Sequence, residues 1–103
     1  MTERGRLAGP DTAPERGELV TPLVAGTGFT VEQIISGRLE SVAEYDQDHD
    51  EWVVVLAGAA VLEVDGVARD LQAGDWWLLP AGAPHRLLHT EPGTSWLAVR
   101  STR

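Results

Sequence analysis

The sequence predicts an all-β domain, a sandwich or jelly-roll β-barrel of about eight short antiparallel strands. Apolar runs of strand length recur along the chain, and turn signals built from Gly, Pro and Asp separate them. No stretch shows the apolar spacing of an amphipathic helix. Many short strands with no helices between them are typical of two-sheet sandwiches and jelly rolls.

The first half of the chain begins with a polar segment and then alternates between strands and turns. Residues 1–17 have no apolar period, which predicts a disordered, mobile N-terminal tail before a single domain at 18–103. Strands are predicted at 18–25, where Pro22 indicates a sheet edge, at 29–35 and at 38–43. The run 52–57 is apolar on both faces and ends at Gly58. It must be covered by the barrel interior and by a second sheet or a partner subunit.

The second half contains the clearest local signals. Residues 60–65 alternate between apolar and polar, and Asp65-Gly66 predicts a tight hairpin that pairs 67–71 back onto them. A buried strand is expected at 76–79. The segment 80–84 reverses the chain, because its prolines lack the N–H that a ladder needs. His85 then emerges where the strand 86–90 begins, and a last strand follows at 95–100.

Composition limits the classes of partner. The 103 residues carry 8 basic and 16 acidic side chains and no Cys. The net charge of −8 argues against nucleic acid and anionic membrane surfaces, and the lack of Cys excludes disulfides and thiolate metal sites. No apolar run has the length of a membrane span or of a signal-peptide core. We expect a soluble cytoplasmic protein, and a homodimer because so small a core is marginal.

Candidate ligand side chains fall on two strand faces. Tyr45, Gln47, His49 and Glu51 share parity, so an extended chain points all four the same way. His85 and His89 share parity too, but lie roughly 13 Å apart on a straight strand. We therefore predict Gln47, His49, Glu51 and His85 as ligands of a divalent metal, with His89 in the cavity wall as a catalytic proton carrier. Imidazole and carboxylate suit Fe, Mn, Ni, Zn or Cu.

Two spaced motifs resemble those of the cupins, most closely small single-domain bacterial members. Gly74, Pro80, Gly82 and His85 match the second cupin motif, while Glu51 and Gly58 match the end of the first. The resemblance implies a jelly-roll barrel. The sequence departs from the family where the first motif has two histidines, because Tyr45 and Gln47 or Glu44 and Asp46 stand there instead. His89 stands where the second motif has Asn.

The resemblance leaves several functions open. A displaced but working metal site would allow dioxygenase, isomerase or decarboxylase chemistry on a small molecule. A decayed site would leave a non-enzymatic module that holds a small ligand among Trp and Leu side chains. A dimer whose role is assembly is the third alternative. Fold alone does not choose among them.

Overall fold

Nine β-strands form most of the regular structure of the computed structural model, which describes residues 2–39 and 41–102. The strands are β1 (Glu18–Gly26), β2 (Phe29–Ser36), β3 (Ala43–Tyr45), β4 (Glu51–Ala57), β5 (Ala59–Val64), β6 (Val67–Gln72), β7 (Trp76–Leu79), β8 (His85–Thr90) and β9 (Thr94–Ser101). A single-turn 3-10 helix, Pro10–Thr12, precedes them. No helix in the described part of the chain has the length and apolar content needed to cross a membrane.

The strands form two antiparallel sheets. The larger sheet has the order β1-β2-β9-β4-β7, and the smaller has the order β3-β8-β5-β6. Neighbours in each sheet are mostly distant in sequence, since β9 lies between β2 and β4, and β8 lies between β3 and β5. This two-sheet arrangement confirms the predicted all-β jelly-roll class. Pro22 lies on the edge strand β1, next to a bulge, as its missing N–H predicts.

The core lies between the sheets and follows the period of two along each strand. In β4, Val53 and Val55 are buried, and in β5, Leu62 and Val64 are buried. Trp96 on β9 packs in the same cluster and donates its indole N–H to Ser36 Oγ at 3.2 Å. Burial of these side chains provides most of the stabilisation of the sandwich, and the indole bond satisfies a polar group that would otherwise be costly to bury.

Two glycines occupy positions that the sequence patterns had marked. Asp65 and Gly66 have φ values of 48° and 81°, the combination that the predicted hairpin turn between β5 and β6 requires. Gly58 has φ 88°, and a Cβ there would lie 2.5 Å from Thr94 Oγ1 and 2.8 Å from Thr94 Cα. The motif glycine therefore permits both a left-handed backbone and the close approach of β9.

Two strand predictions are wrong in part. The third strand is Ala43–Tyr45 and not 38–43, because Arg38 N donates to Glu15 O of the N-terminal segment. The 76–79 strand is buried on one face only, since Leu79 is 2% exposed whereas Trp76 and Leu78 are 62% and 51% exposed. They pair with Val54 and Trp52 of β4 on the side of the larger sheet that faces away from the core. We call Trp52, Val54, Trp76 and Leu78 the outer apolar face.

The N-terminal segment, predicted to be a mobile tail, hydrogen bonds to β2 and to the residues after it. Gln33 donates to Ala8 O and accepts from Ala8 N, each at 2.9 Å, and Gly37 N donates to Gly17 O at 2.7 Å. Gln33 is almost completely buried by these contacts and by Ser95 Oγ. Hydrophobic periodicity cannot reveal such a segment, because backbone groups and one amide hold it in place.

Candidate functional site

A cavity of about 170 Å³ lies between the two sheets, and both contribute to its wall. Its apolar surface comes from core side chains such as Leu62, Leu87 and Trp96. Its polar side chains are Glu18, Tyr45, Gln47, Glu51, His85 and Arg100. An apolar pocket with a few converging polar groups is the usual form of a small-molecule site.

The segment 45–51 supplies three of these polar groups. Tyr45, Gln47, His49 and Glu51 are buried or half-buried, whereas the residues between them are exposed, as strand parity predicts. The connection is tied to the corner at 80–84, because Gly82 N donates to Gln47 O and Ala81 N to Asp50 Oδ1, both at 2.8 Å. These bonds fix the backbone that presents Gln47 and Glu51 to the cavity.

His85 is the first residue of β8 and is only 4% exposed. Its Nδ1 lies 3.2 Å from Ala83 O, which can only accept, so Nδ1 is the donor in this contact and Nε2 of the neutral ring is an acceptor. The imidazole stacks on the Tyr45 ring with centroids 5.3 Å apart. The proline-bounded corner and the Tyr45 ring thus hold the predicted site histidine in one orientation at the cavity wall.

Tyr45 connects the cavity wall to the edge strand β1. Its hydroxyl donates to Glu18 Oε1 at 3.0 Å. Burial of the phenol, together with the negative charge and hydrogen bond of Glu18, raises the pKa of Tyr45 well above its usual value. Tyr45 therefore remains a neutral hydrogen-bond donor across the physiological range.

Arg100, like Glu18, is a polar residue of the cavity wall that sequence reasoning missed. Its Nε donates to Glu51 Oε2 at 3.1 Å, and its Nη2 donates to Glu32 Oε1. Glu51 is 7% exposed, so this guanidinium compensates a nearly buried carboxylate. Arg100 shares parity with the buried Trp96 and Ala98 on β9, and that parity was the signal available in the sequence.

Gln47 and His49 carry the unsatisfied polar atoms. Gln47 Oε1 and His49 Nε2 are buried, and neither has a hydrogen-bond partner among the described residues. Gln47 lines the cavity, but His49 is not among the residues of its wall. The other His49 nitrogen, Nδ1, lies 3.3 Å from Asp48 Oδ1. Buried groups of this kind normally have a protein, water or ligand partner.

His89 does not lie in the cavity wall, which corrects its predicted position. The residue is exposed and pairs with Val61. The β5–β8 register shifts between Val61 and Leu62, and this irregularity changes which side of the sheet His89 faces. The parity argument from His85 assumed an unbroken ladder and failed for this reason.

Of the four predicted metal ligands, Gln47, Glu51 and His85 line the cavity, whereas His49 does not. Within residues 2–39 and 41–102, no three His, Cys, Asp or Glu side chains come together in a way that could hold a metal ion. Glu51 accepts a hydrogen bond from Arg100, so it would have to leave this partner in order to ligate an ion.

Solved structures of similar proteins share the two-sheet fold described above. A protein from Ralstonia eutropha, described as a candidate mannose-6-phosphate isomerase, is 32% identical and has a TM-score of 0.78, with 96% of this chain and 100% of that chain covered. KdgF from a Halomonas species has a TM-score of 0.76 at 22% identity, with coverages of 84% and 82%, and so shares the fold.

Sequence comparison reaches the same family. A protein from Aquifex aeolicus described as uncharacterised is 33% identical over 64 residues, or 62% of this chain. The chain spans about half of that relative, with 53% covered. The family model described as a cupin domain matches residues 30–99. With its two-sheet fold and motif residues in place, the chain belongs to the cupin family.

Proposed function

We propose that this cupin domain holds a small organic molecule in the cavity between its sheets, without a resident metal. The observation that carries this proposal is the Arg100–Glu51 ion pair, which occupies the carboxylate of the first cupin motif. A carboxylate held by a guanidinium is a poor metal ligand but a good fixed dipole for orienting a polar ligand.

The remaining cavity groups support ligand binding in complementary ways. His85 Nε2 and Gln47 Oε1 can accept hydrogen bonds, while Leu62, Leu87 and Trp96 provide an apolar surface. A ligand with one polar end and one apolar end would satisfy both parts of the wall. The name of the Ralstonia relative suggests a sugar phosphate as one member of the panel to test.

A divalent metal site is the second candidate, with Fe, Mn, Ni, Zn or Cu held by Gln47, His49, Glu51 and His85. The buried, unpartnered Gln47 Oε1 and His49 Nε2 favour it, because both are donor types that metals accept. It would require Glu51 to leave Arg100. Isomerase, dioxygenase or decarboxylase activity belongs to this candidate, and His89, predicted as its proton carrier, lies at an exposed position outside the cavity wall.

A homodimer and a cytoplasmic location remain predictions. The outer apolar face supports the homodimer proposal, because exposed apolar side chains on adjacent strands favour association. A flat sheet face of this kind can pack on a second copy of itself about a two-fold axis.

The test is thermal unfolding of chelator-treated protein with a panel of small polar molecules. We expect at least one to raise Tm, because a ligand that binds only the folded state stabilises it. The stabilisation should disappear in Gln47→Leu, which keeps the side-chain volume but removes the cavity amide. The matched control is Gln72→Leu, an exposed site on β6 that should leave the stabilisation unchanged.

The outcomes separate the two candidates. Ligand stabilisation in the presence of chelator supports the metal-free module. Stoichiometric metal in the purified protein, lost in His85→Ala and in Gln47→Leu, would support the metal site instead. If the purified protein holds no stoichiometric metal and no molecule of the panel raises Tm, both candidates are contradicted.

A further inference from the structure

The charges around the cavity are predominantly negative. Glu18 and Glu51 line it, and Glu32 lies beside it as the second partner of Arg100, so three carboxylates and one guanidinium surround the cavity. Arg100 is the one Arg or Lys among the described residues of the wall. Its charge is shared between Glu51 and Glu32, which leaves a local balance of −2 (one positive and three negative charges).

The free hydrogen-bonding groups of the cavity are mostly acceptors. The Tyr45 hydroxyl donates to Glu18, and the Arg100 Nε and Nη2 groups donate to carboxylates. By contrast, His85 Nε2 and Gln47 Oε1 accept no hydrogen bond from the described residues. The site therefore offers at least two acceptors to a ligand, while the Tyr45 hydroxyl and the Arg100 Nε and Nη2 groups are engaged with carboxylates.

The rest of the wall suits a cation with an apolar body. The indole of Trp96 and the phenol of Tyr45 line the cavity, and aromatic faces attract organic cations. The cavity volume of about 170 Å³ is close to that of apolar cavities of about 150 Å³ that hold one benzene ring. A single ring bearing one small charged group matches this space.

We propose that the cavity selects a small organic cation, such as a protonated amine on an apolar group of single-ring size, over a neutral molecule of the same shape, and that it rejects the corresponding anion. This inference rests on the ligand-binding function proposed above. It also implies that a phosphorylated sugar, the ligand class suggested by the name of the Ralstonia relative, is disfavoured at this site.

The experiment compares three molecules that share one ring: protonated benzylamine, benzyl alcohol and benzoate. Affinities are measured at pH 7 with chelator by NMR titration of the Trp indole signals. We expect benzylammonium to bind about ten-fold more tightly than benzyl alcohol, and benzoate to bind most weakly. Higher salt should reduce the difference between the charged molecules, since Glu18 at the edge of the cavity is exposed.

The Glu18→Gln variant tests how much the negative charge of Glu18 contributes to cation binding. The amide oxygen can still accept the Tyr45 hydroxyl, so the wall is preserved while one negative charge is removed. We expect several-fold weaker binding of benzylammonium and unchanged binding of benzyl alcohol. Glu91→Gln is the matched control: it removes the same charge at an exposed position outside the cavity wall and should leave all three affinities unchanged.

Three results would overturn this inference. Benzoate could bind as tightly as benzylammonium, Glu91→Gln could act as strongly as Glu18→Gln, or none of the three could bind. In each case, stabilisation by other molecules of the wider panel would leave the ligand-binding function intact. Failure of the whole panel would remove that function as well, so the two failures are distinguishable.

Discussion

Arg100 determines the electrostatic character of the cavity, because it compensates two carboxylates on neighbouring strands. Glu51 on β4 and Glu32 on β2 both accept from its guanidinium. The three side chains lie on the core-facing side of the larger sheet, where water cannot fully solvate an unpaired charge. Their arrangement makes Arg100 a structural requirement of the site as well as a part of its wall.

Arg100→Met tests this requirement. Methionine has a similar length but no charge, so the nearly buried carboxylates of Glu51 and Glu32 lose their partner. We expect a loss of about 3–5 kcal/mol in the free energy of unfolding. Urea unfolding measures it. Arg69→Met, on the exposed strand β6, is the control and should change stability by less than about 0.5 kcal/mol. Similar losses in the two variants would show that the ion pairs are unimportant.

Tyr45 allows a direct titration, since it is the single tyrosine of the chain. Its pKa is raised by burial and by Glu18, so its protonated form stabilises the fold below the unfolded pKa of about 10 and this contribution is lost as pH rises through the folded pKa. We expect absorbance at 295 nm to show no tyrosinate at pH 10–11 in the folded protein, whereas urea-unfolded protein titrates normally. An ordinary titration of the folded protein would contradict the described burial.

At the level of secondary-structure elements, features set by the backbone preferences of a few neighbouring residues were predicted well. Features set by the register between strands were not. The Asp65-Gly66 hairpin and the corner at 80–84 depend on backbone preferences of a few residues, and both are present. The parity of β9 indicates that Arg100 faces inwards, but its pairing with Glu51 depends on the β4–β9 register, which no local pattern encodes. The position of His89 was wrong for a similar reason, since one bulge against β5 reverses its side. The fold was therefore more predictable than the cavity wall.

Gly58→Ala and Gly66→Ala are a matched pair of variants that tests how closely β9 approaches Gly58. Both glycines have positive φ, so each substitution strains the backbone by about 1 kcal/mol. Only at Gly58 does the added Cβ also meet the backbone of Thr94, which should cost about 1–3 kcal/mol more. Chemical unfolding of the two variants measures the difference. Equal destabilisation would mean that β9 does not approach Gly58 as closely as described.

At the scale of the whole molecule, the outer apolar face is the surface through which we expect two copies to associate, because no other part of the described chain covers Trp76 or Leu78. Packing the two faces of a pair against each other would remove these side chains from water. The cavity opens between the sheets, and the outer apolar face lies on the far side of the larger sheet. Association and ligand binding would therefore use different surfaces.

Trp76→Ser tests the homodimer. We expect wild-type protein to sediment as a dimer at micromolar concentration and the variant to shift to monomer, because the most exposed ring of the face is lost. Val67→Ser on β6 removes an exposed apolar side chain from the other sheet and should leave the dimer intact. A wild-type monomer under the same conditions would refute the homodimer proposal.

The central position of β9 also has a consequence for synthesis on the ribosome. Residues 94–101 pair with β2 on one side and β4 on the other, so the larger sheet cannot close until they have left the exit tunnel. Until then β2 and β4 present open edges to other nascent chains, and Glu32 and Glu51 lack their shared cation. The strand that closes the larger sheet therefore also brings the arginine that neutralises both carboxylates.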